Sequence, residues 1–142
     1  MKNTNPKYPI YIISKARADT RFTVRTLTQL GVPYRVVIEE SEYKDYSAVI
    51  DPKNILVMPK DFRENPKWAV RCEVTGLLGG SIPARNWVWE HSISEGHERH
   101  WIIDDNIRHF YRLNRNKKFR VTSGITFKLL EDFTDRYQNV MM

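Results

Sequence analysis

Short apolar runs alternate along this chain with longer segments whose apolar residues recur at helical spacing. Residues 8–14, YPIYIIS, are almost continuously apolar and rich in β-formers, the pattern of a strand buried on both faces. Phe22, Val24, Leu27 and Leu30 then share one broad helical arc, which predicts a helix over residues 20–30 with Asp19 as its cap. Gly31 and Pro33 stop it, because glycine accepts a left-handed conformation and proline cannot continue a helix. A second strand is predicted at residues 34–39, a short helical stretch at 42–50 and a third strand at 54–58, closed by Pro59.

The pattern weakens over an insertion at about residues 60–80. Residues 60–67 are charged and broken by Pro66, residues 68–78 suit a small helix or a turn equally, and Gly76, Gly79 and Gly80 mark a loop. So long an insertion is more often functional or mobile than structural. Regularity returns at Ser81, which with Pro83 in the first turn opens a helix that ends at Gly96. Ala84, Trp87, Val88 and His91 form its buried stripe, so His91 is read as a packing residue and Trp87, Trp89 and Trp101 as core. Residues 100–103, HWII, are a fourth buried strand that runs straight into Asp104-Asp105-Asn106. A basic turn over residues 112–120 leads to a last helix at 123–137, where Phe127, Leu130, Phe133 and Tyr137 hold helical spacing.

Strands and helices in this order predict one α/β domain over residues 1–142, with a mostly parallel, Rossmann-like sheet and helices on both faces. In such sheets ligands bind at the carboxyl ends of the strands. Three polar clusters fall there: Ser14, Lys15, Arg17 and Asp19 after the first strand, Glu39 and Glu40 after the second, and Asp104, Asp105 and Asn106 after the fourth.

The last cluster carries the sharpest chemistry. Two adjacent carboxylates after an apolar strand repel one another unless a cation or hydrogen-bond donors neutralise them. An extended backbone would point Asp104 and Asn106 to one side and Asp105 to the other, whereas a bend would turn all three into the crevice. Such oxygen ligands suit Mg²⁺ or Mn²⁺; a polar loop capping the next segment is the competing reading. Arg85 lies in the first turn of its helix, where it would hold a phosphate, brace Asp104 or Asp105, or simply stay in solvent. Asn86 beside it would bond to a ligand or to the loop. Arg112, Arg115, Lys117, Lys118 and Arg120, interleaved with Phe110, Tyr111 and Phe119, suit either a nucleic-acid backbone or a solvated face.

Composition narrows the setting. The 142 residues are 41% hydrophobic and 28% charged, as in a globular domain, with a net charge of +6 that favours a polyanionic partner. No apolar run approaches the roughly 20 residues of a membrane span, and MKNTNPKYP lacks a signal-peptide core. The lone Cys72 is read as a reduced thiol, and the expected location is cytoplasmic.

Together PIYIISKARAD, GVPYRVVIEESEY, VIDPKNILVMP, SIPARNWVWEHSISEGHERHWIIDDNI and FTDRYQNV resemble the TET-associated glycosyltransferases of phages, outside the insertion at 60–80. That resemblance implies a GT-A-type fold and transfer of a sugar from a UDP-sugar to 5-hydroxymethylcytosine in DNA, in an infected bacterial host. It further implies that Ser14, Lys15, Arg17, Asp19 and Glu39 contact the nucleotide, that Arg85 and Asn86 brace the donor, and that Asp104 touches ribose and sugar. Asp104, Asp105 and Asn106 stand in place of the acidic DxD-type motif as metal ligands, with Asp105 the favoured one. No general base is evident, and the expectation is of a chain cut short before the acceptor half, with the base beyond residue 142. A nucleotidyltransferase or other sugar-nucleotide enzyme, and a non-enzymatic basic nucleic-acid-binding domain, are the alternatives.

Overall fold

The structure, a computed structural model, describes residues 4–65 and 80–138. Among these residues one sheet contains β1 (Ile10–Ile13), β2 (Arg35–Glu39), β3 (Ile55–Met58) and β4 (Trp101–Asp104). Its order is β3-β2-β1-β4 and every pairing is parallel, so the alternating pattern did announce a Rossmann-like α/β fold. The helices are α1 (Phe22–Gln29), α2 (Tyr43–Ser47), α3 (Lys60–Glu64), α4 (Ile82–Ser94) and α5 (Ile125–Thr134).

Side chains alternate along each strand, so the sheet feeds two cores. Ile10, Ile12, Val36, Ile38, Ile55 and Ile103 pack with Val24 and Leu27 of α1, Tyr46 of α2 and Phe127 of α5. On the opposite face Tyr11, Val37 and Met58 meet Val88 of α4, flanked by Phe62 of α3 and Trp87. Burying each such side chain is worth about 2 kcal/mol, which holds together strands of four or five residues. His91 is half-buried, with Nδ1 3.0 Å from the Tyr11 hydroxyl, and packs as expected.

Four local expectations change. Asp19 does not cap α1: the helix starts two residues later than predicted, after Arg21 at φ 24° with no side-chain cap. Ser81 makes no capping bond to α4 either; its Oγ accepts from Arg85 Nε at 3.2 Å instead. The predicted stripe of α4 does face the sheet, with Val88 buried and Ala84, Trp87 and His91 half-buried beside Pro83 and Ser92, but Trp89, read as core, is 61% exposed because it lies off that face. The basic turn at 112–120 is a β-hairpin, β5 (Tyr111–Asn114) and β6 (Lys117–Arg120). Cys72 and residues 68–78 lie outside the described residues.

Chain winding runs β1 to β2 to β3 on one side, then returns to place β4 on the other side of β1. The direction of winding therefore reverses between β1 and β4, which opens a crevice at their carboxyl ends.

Candidate active site at the carboxyl ends of the strands

A cleft of about 500 Å³ occupies that crevice. Ser14 extends β1 by donating its N–H to Val37 O at 3.1 Å, which fixes where its side chain points. The buried Ser14 Oγ donates to Asp105 Oδ2 at 2.8 Å and lies 2.6 Å from the Tyr46 hydroxyl. Since the one hydroxyl hydrogen of Ser14 goes to the carboxylate, Tyr46 is the donor to Ser14. The Tyr46 oxygen in turn accepts from the backbone N–H of Arg17 at 3.2 Å. Burial pushes the Tyr46 phenol above its ordinary value, against the downward pull of these hydrogen bonds. The Arg17 guanidinium closes the ring by donating to Asp105 Oδ1 at 2.6 Å.

The turn after β4 is held from α1. Thr23, fully buried, donates from Oγ1 to Asp104 O at 2.5 Å and accepts from Ile107 N at 2.9 Å, while its own N–H donates to Asp105 O at 3.2 Å. Thr26 Oγ1 donates to Arg108 O at 2.5 Å. Both hydroxyls sit on the buried arc of α1, so the helix supplies donors where the strand's ladder ends.

This bend turns the two carboxylates apart. Asp105 points under the β1 loop and is buried, whereas the Asp104 side chain is 64% exposed and accepts from Arg85 at 2.8 Å. A third pair, Lys15 Nζ to Glu39 Oε1 at 2.9 Å, spans the ends of β1 and β2. Three cations thus face three carboxylates around one cleft. Ala16, between Lys15 and Arg17, has φ 54° and donates its N–H to Glu42 Oε1.

A family model for the TET-Associated Glycosyltransferase matches residues 8–142. The chain belongs to that family. The match runs from β1 through α5, and glycosyl transfer is the reaction class it carries. No curated protein and no solved structure gives a significant match.

In this TET-associated glycosyltransferase, Ser14, Lys15, Arg17, Glu39, Asp104, Asp105 and Asn106 all line the cleft, joined by Ser81 and Ala84 of the α4 entry. Arg85 reaches it through Asp104. Asp19 and Asn86 are not among the lining residues: Asp19 is exposed and offers its carbonyl to Arg21 and Arg25, and Asn86 is half-buried on α4. Tyr46, Thr23 and Thr26 are the site residues that sequence reasoning missed. Two threonines three apart on an apolar helical arc were a readable signal; nothing local marked Tyr46.

Among the described residues no group of three or more His, Cys, Asp or Glu side chains is placed to hold a metal ion. No helix among them is long and apolar enough to cross a membrane.

Proposed function

We propose that this glycosyltransferase moves a sugar from a UDP-sugar to the hydroxymethyl group of 5-hydroxymethylcytosine in DNA, inside an infected bacterium. The observation that carries this reading is the cleft at the β1–β4 crevice, where Lys15, Arg17 and Arg85 converge with Glu39, Asp104 and Asp105. Lys15 and Arg85 are 58% and 43% exposed at the side chain, free enough to turn towards phosphate oxygens. Glu39 is the acceptor for hydrogen bonds from base or ribose. Arg17, Ser14 and Asp105 hold the loop that carries Lys15.

The three cations are already balanced by three carboxylates, so a diphosphate arrives with its charge uncompensated. A divalent cation held beside them would restore the balance. Mn²⁺ and Mg²⁺ accept one or two protein carboxylates with phosphate oxygens and water completing the shell, so a full protein cage is not required. Asp104 and Asn106, both exposed on the cleft, are the residues that would hold the ion. Asp105 fits less well than expected, because its two oxygens already accept from Arg17 and Ser14. When bound, the metal neutralises charge on the departing diphosphate. The protein's own part is to hold the diphosphate through Lys15 and Arg85 and keep Asp104 turned to the cleft. A target base within a duplex has to be flipped out to reach it.

The test is incubation of 5-hydroxymethylcytosine DNA with a panel of UDP-sugars and Mn²⁺, read by nucleoside mass spectrometry. A mass increase with one sugar supports the reading. Stabilisation against heat by CTP or GTP as strong as by UDP would count against it.

A further inference from the structure

The hairpin has no role in the cleft as described. Tyr111 stands opposite Arg120, Arg112 opposite Phe119, Leu113 opposite Lys118 and Asn114 opposite Lys117. All eight strand residues are exposed, so the ribbon offers both faces to solvent. Residues 111–120 carry Arg112, Arg115, Lys117, Lys118 and Arg120 and no acidic residue, in a chain whose net charge is +6. Among the described residues none of the five joins an ion pair; Arg112 lies over the ring of Phe119 at 5.5 Å.

A free two-stranded ribbon is marginal in water, so its root has to be fastened. Val121, buried, donates its N–H to Phe110 O at 2.9 Å, and Phe110 meets Phe127 edge-on at 5.1 Å. The root therefore belongs to the core, and the blade does not. The tip is equally telling. Arg115 and Asn116 have φ 48° and 60°, the backbone of a tight hairpin turn that favours glycine or asparagine. An arginine held there keeps a cation at the tip against the conformational preference of the site.

We propose that this ribbon is a docking element for duplex nucleic acid. Opposed side chains share a face, so one face presents Lys118 and Arg120 beside Tyr111 and Leu113, and the other presents Arg112 and Lys117 beside Phe119. Cations on both faces and at the tip match the two phosphate backbones that wall a groove, and a major groove admits a two-stranded ribbon. A flat anionic surface would meet one face alone. The proposal deepens the reading above by naming the part that holds the polymer substrate, and it stands apart from the donor chemistry.

The test is fluorescence anisotropy of the full chain with a labelled DNA duplex across a salt series. The variant is R115G/K117Q/K118Q, in which glycine suits the turn and the paired Arg112 and Phe119 are kept. Each lost phosphate contact lowers the double-logarithmic salt slope by about 0.9. The expected result is a slope smaller by about 3 and an affinity lower by at least roughly tenfold at 0.1 M salt, with thermal midpoint and UDP binding unchanged. Should the triple variant fold poorly, R115E alone is expected to weaken duplex binding. Unchanged duplex affinity and slope would overturn the proposal, as would equally tight binding of polyglutamate or anionic vesicles by the native chain. Ribbon-dependent DNA binding without any UDP binding would sink the donor reading and leave the ribbon standing; the reverse pattern would do the opposite.

Discussion

Arg17 and Asp105 meet at 2.6 Å across 88 residues of chain, and they tie the loop after β1 to the turn after β4. The second oxygen of Asp105 takes the Ser14 hydroxyl, so the carboxylate is fully engaged by the protein. Asp104, its immediate neighbour, is exposed and holds Arg85 alone among the described side chains. Two adjacent aspartates therefore do different physical work. Asp105→Asn keeps the shape but removes the charge that the half-exposed Arg17 needs, at a cost of about 2 kcal/mol. Thermal melting should show a drop of roughly 5 °C for it and almost none for Asp104→Asn. Titration with UDP and Mn²⁺ should show the reverse ranking for the direct loss of binding: Asp104→Asn weakens it at unchanged stability. Equal melting losses in both variants would refute the division of roles.

Thr23→Val tests how the acidic turn is held. Valine matches threonine in shape, so the packing of α1 survives while the bonds to Asp104 O and Ile107 N are lost. A part-buried carbonyl and a part-buried N–H are then left unpaired, each worth about 1 kcal/mol. The expected outcome is an unfolding free energy, measured by urea titration, lowered by a total of about 2 kcal/mol, with UDP binding weakened as Asp104 loses its fixed direction. A variant as stable as the native chain would mean that the turn is set by the backbone alone.

The four strands of the parallel sheet and the three polar clusters were legible because they rest on local pattern plus one topological rule. Ile10, Ile12, Val36 and Ile103 announce buried strands by themselves, and a parallel sheet then brings Ser14, Glu39 and Asp104 to one edge. The geometry of the acidic turn was left open by the pattern: the chain bends after β4, and Asp104, Asp105 and Asn106 all line the cleft although the two carboxylates take different partners. What stayed hidden depends on contacts between residues far apart in sequence. Tyr46 bonds to Ser14 at a separation of 32, and Thr23 to Asp104 at 81. The hairpin was read as a turn because its tip is Arg115-Asn116, where a left-handed arginine gives no glycine signal.

Acidity should weaken the fold in two stages. Burial holds the His100 imidazole below its ordinary 6.5, and the neighbouring His97 acts in the same direction. The unfolded chain therefore binds this proton first, so the contribution is whole above pH 6.5 and is lost as pH falls through the lower folded value. Glu95 feels burial pushing it up, but the Arg35 hydrogen bond and charge, with His91 and His97, bring it below 4.5. Its contribution is present above pH 4.5 and lost below. Melting temperatures between about pH 7 and pH 3 should decline in both windows, and His100→Phe should flatten the upper one alone. An unaltered upper decline in that variant would assign the effect elsewhere.

Glu131 explains why the last helix turns a face that its apolar residues did not predict. Phe127, Leu130, Phe133 and Tyr137 hold helical spacing, yet α5 buries Phe127, Glu131 and Thr134, and Phe133 and, beyond the helix end, Tyr137 are about half exposed. Glu131 is 4% exposed, and its carboxylate accepts from Lys7 N at 2.6 Å, Tyr8 N at 3.0 Å and Trp101 Nε1 at 2.8 Å. These donors stand at the openings of β1 and β4, where the sheet's ladder has not yet begun, so one carboxylate pairs the buried Tyr8 N–H and two part-buried donors beside it. Glu131→Leu supplies apolar volume but strands all three N–H groups, and at about 1–3 kcal/mol each it should cost more than any single apolar contact of α5 returns. Glu131→Gln keeps one acceptor oxygen and sets its amide against a donor, so a smaller loss of about 1–2 kcal/mol is expected. Urea unfolding orders the three proteins, and amide exchange at Tyr8 reports the bond directly: it should quicken most in the leucine variant. If leucine proves as stable as glutamate, apolar packing around Phe127 docks α5, and the helix is free to turn its predicted stripe inward.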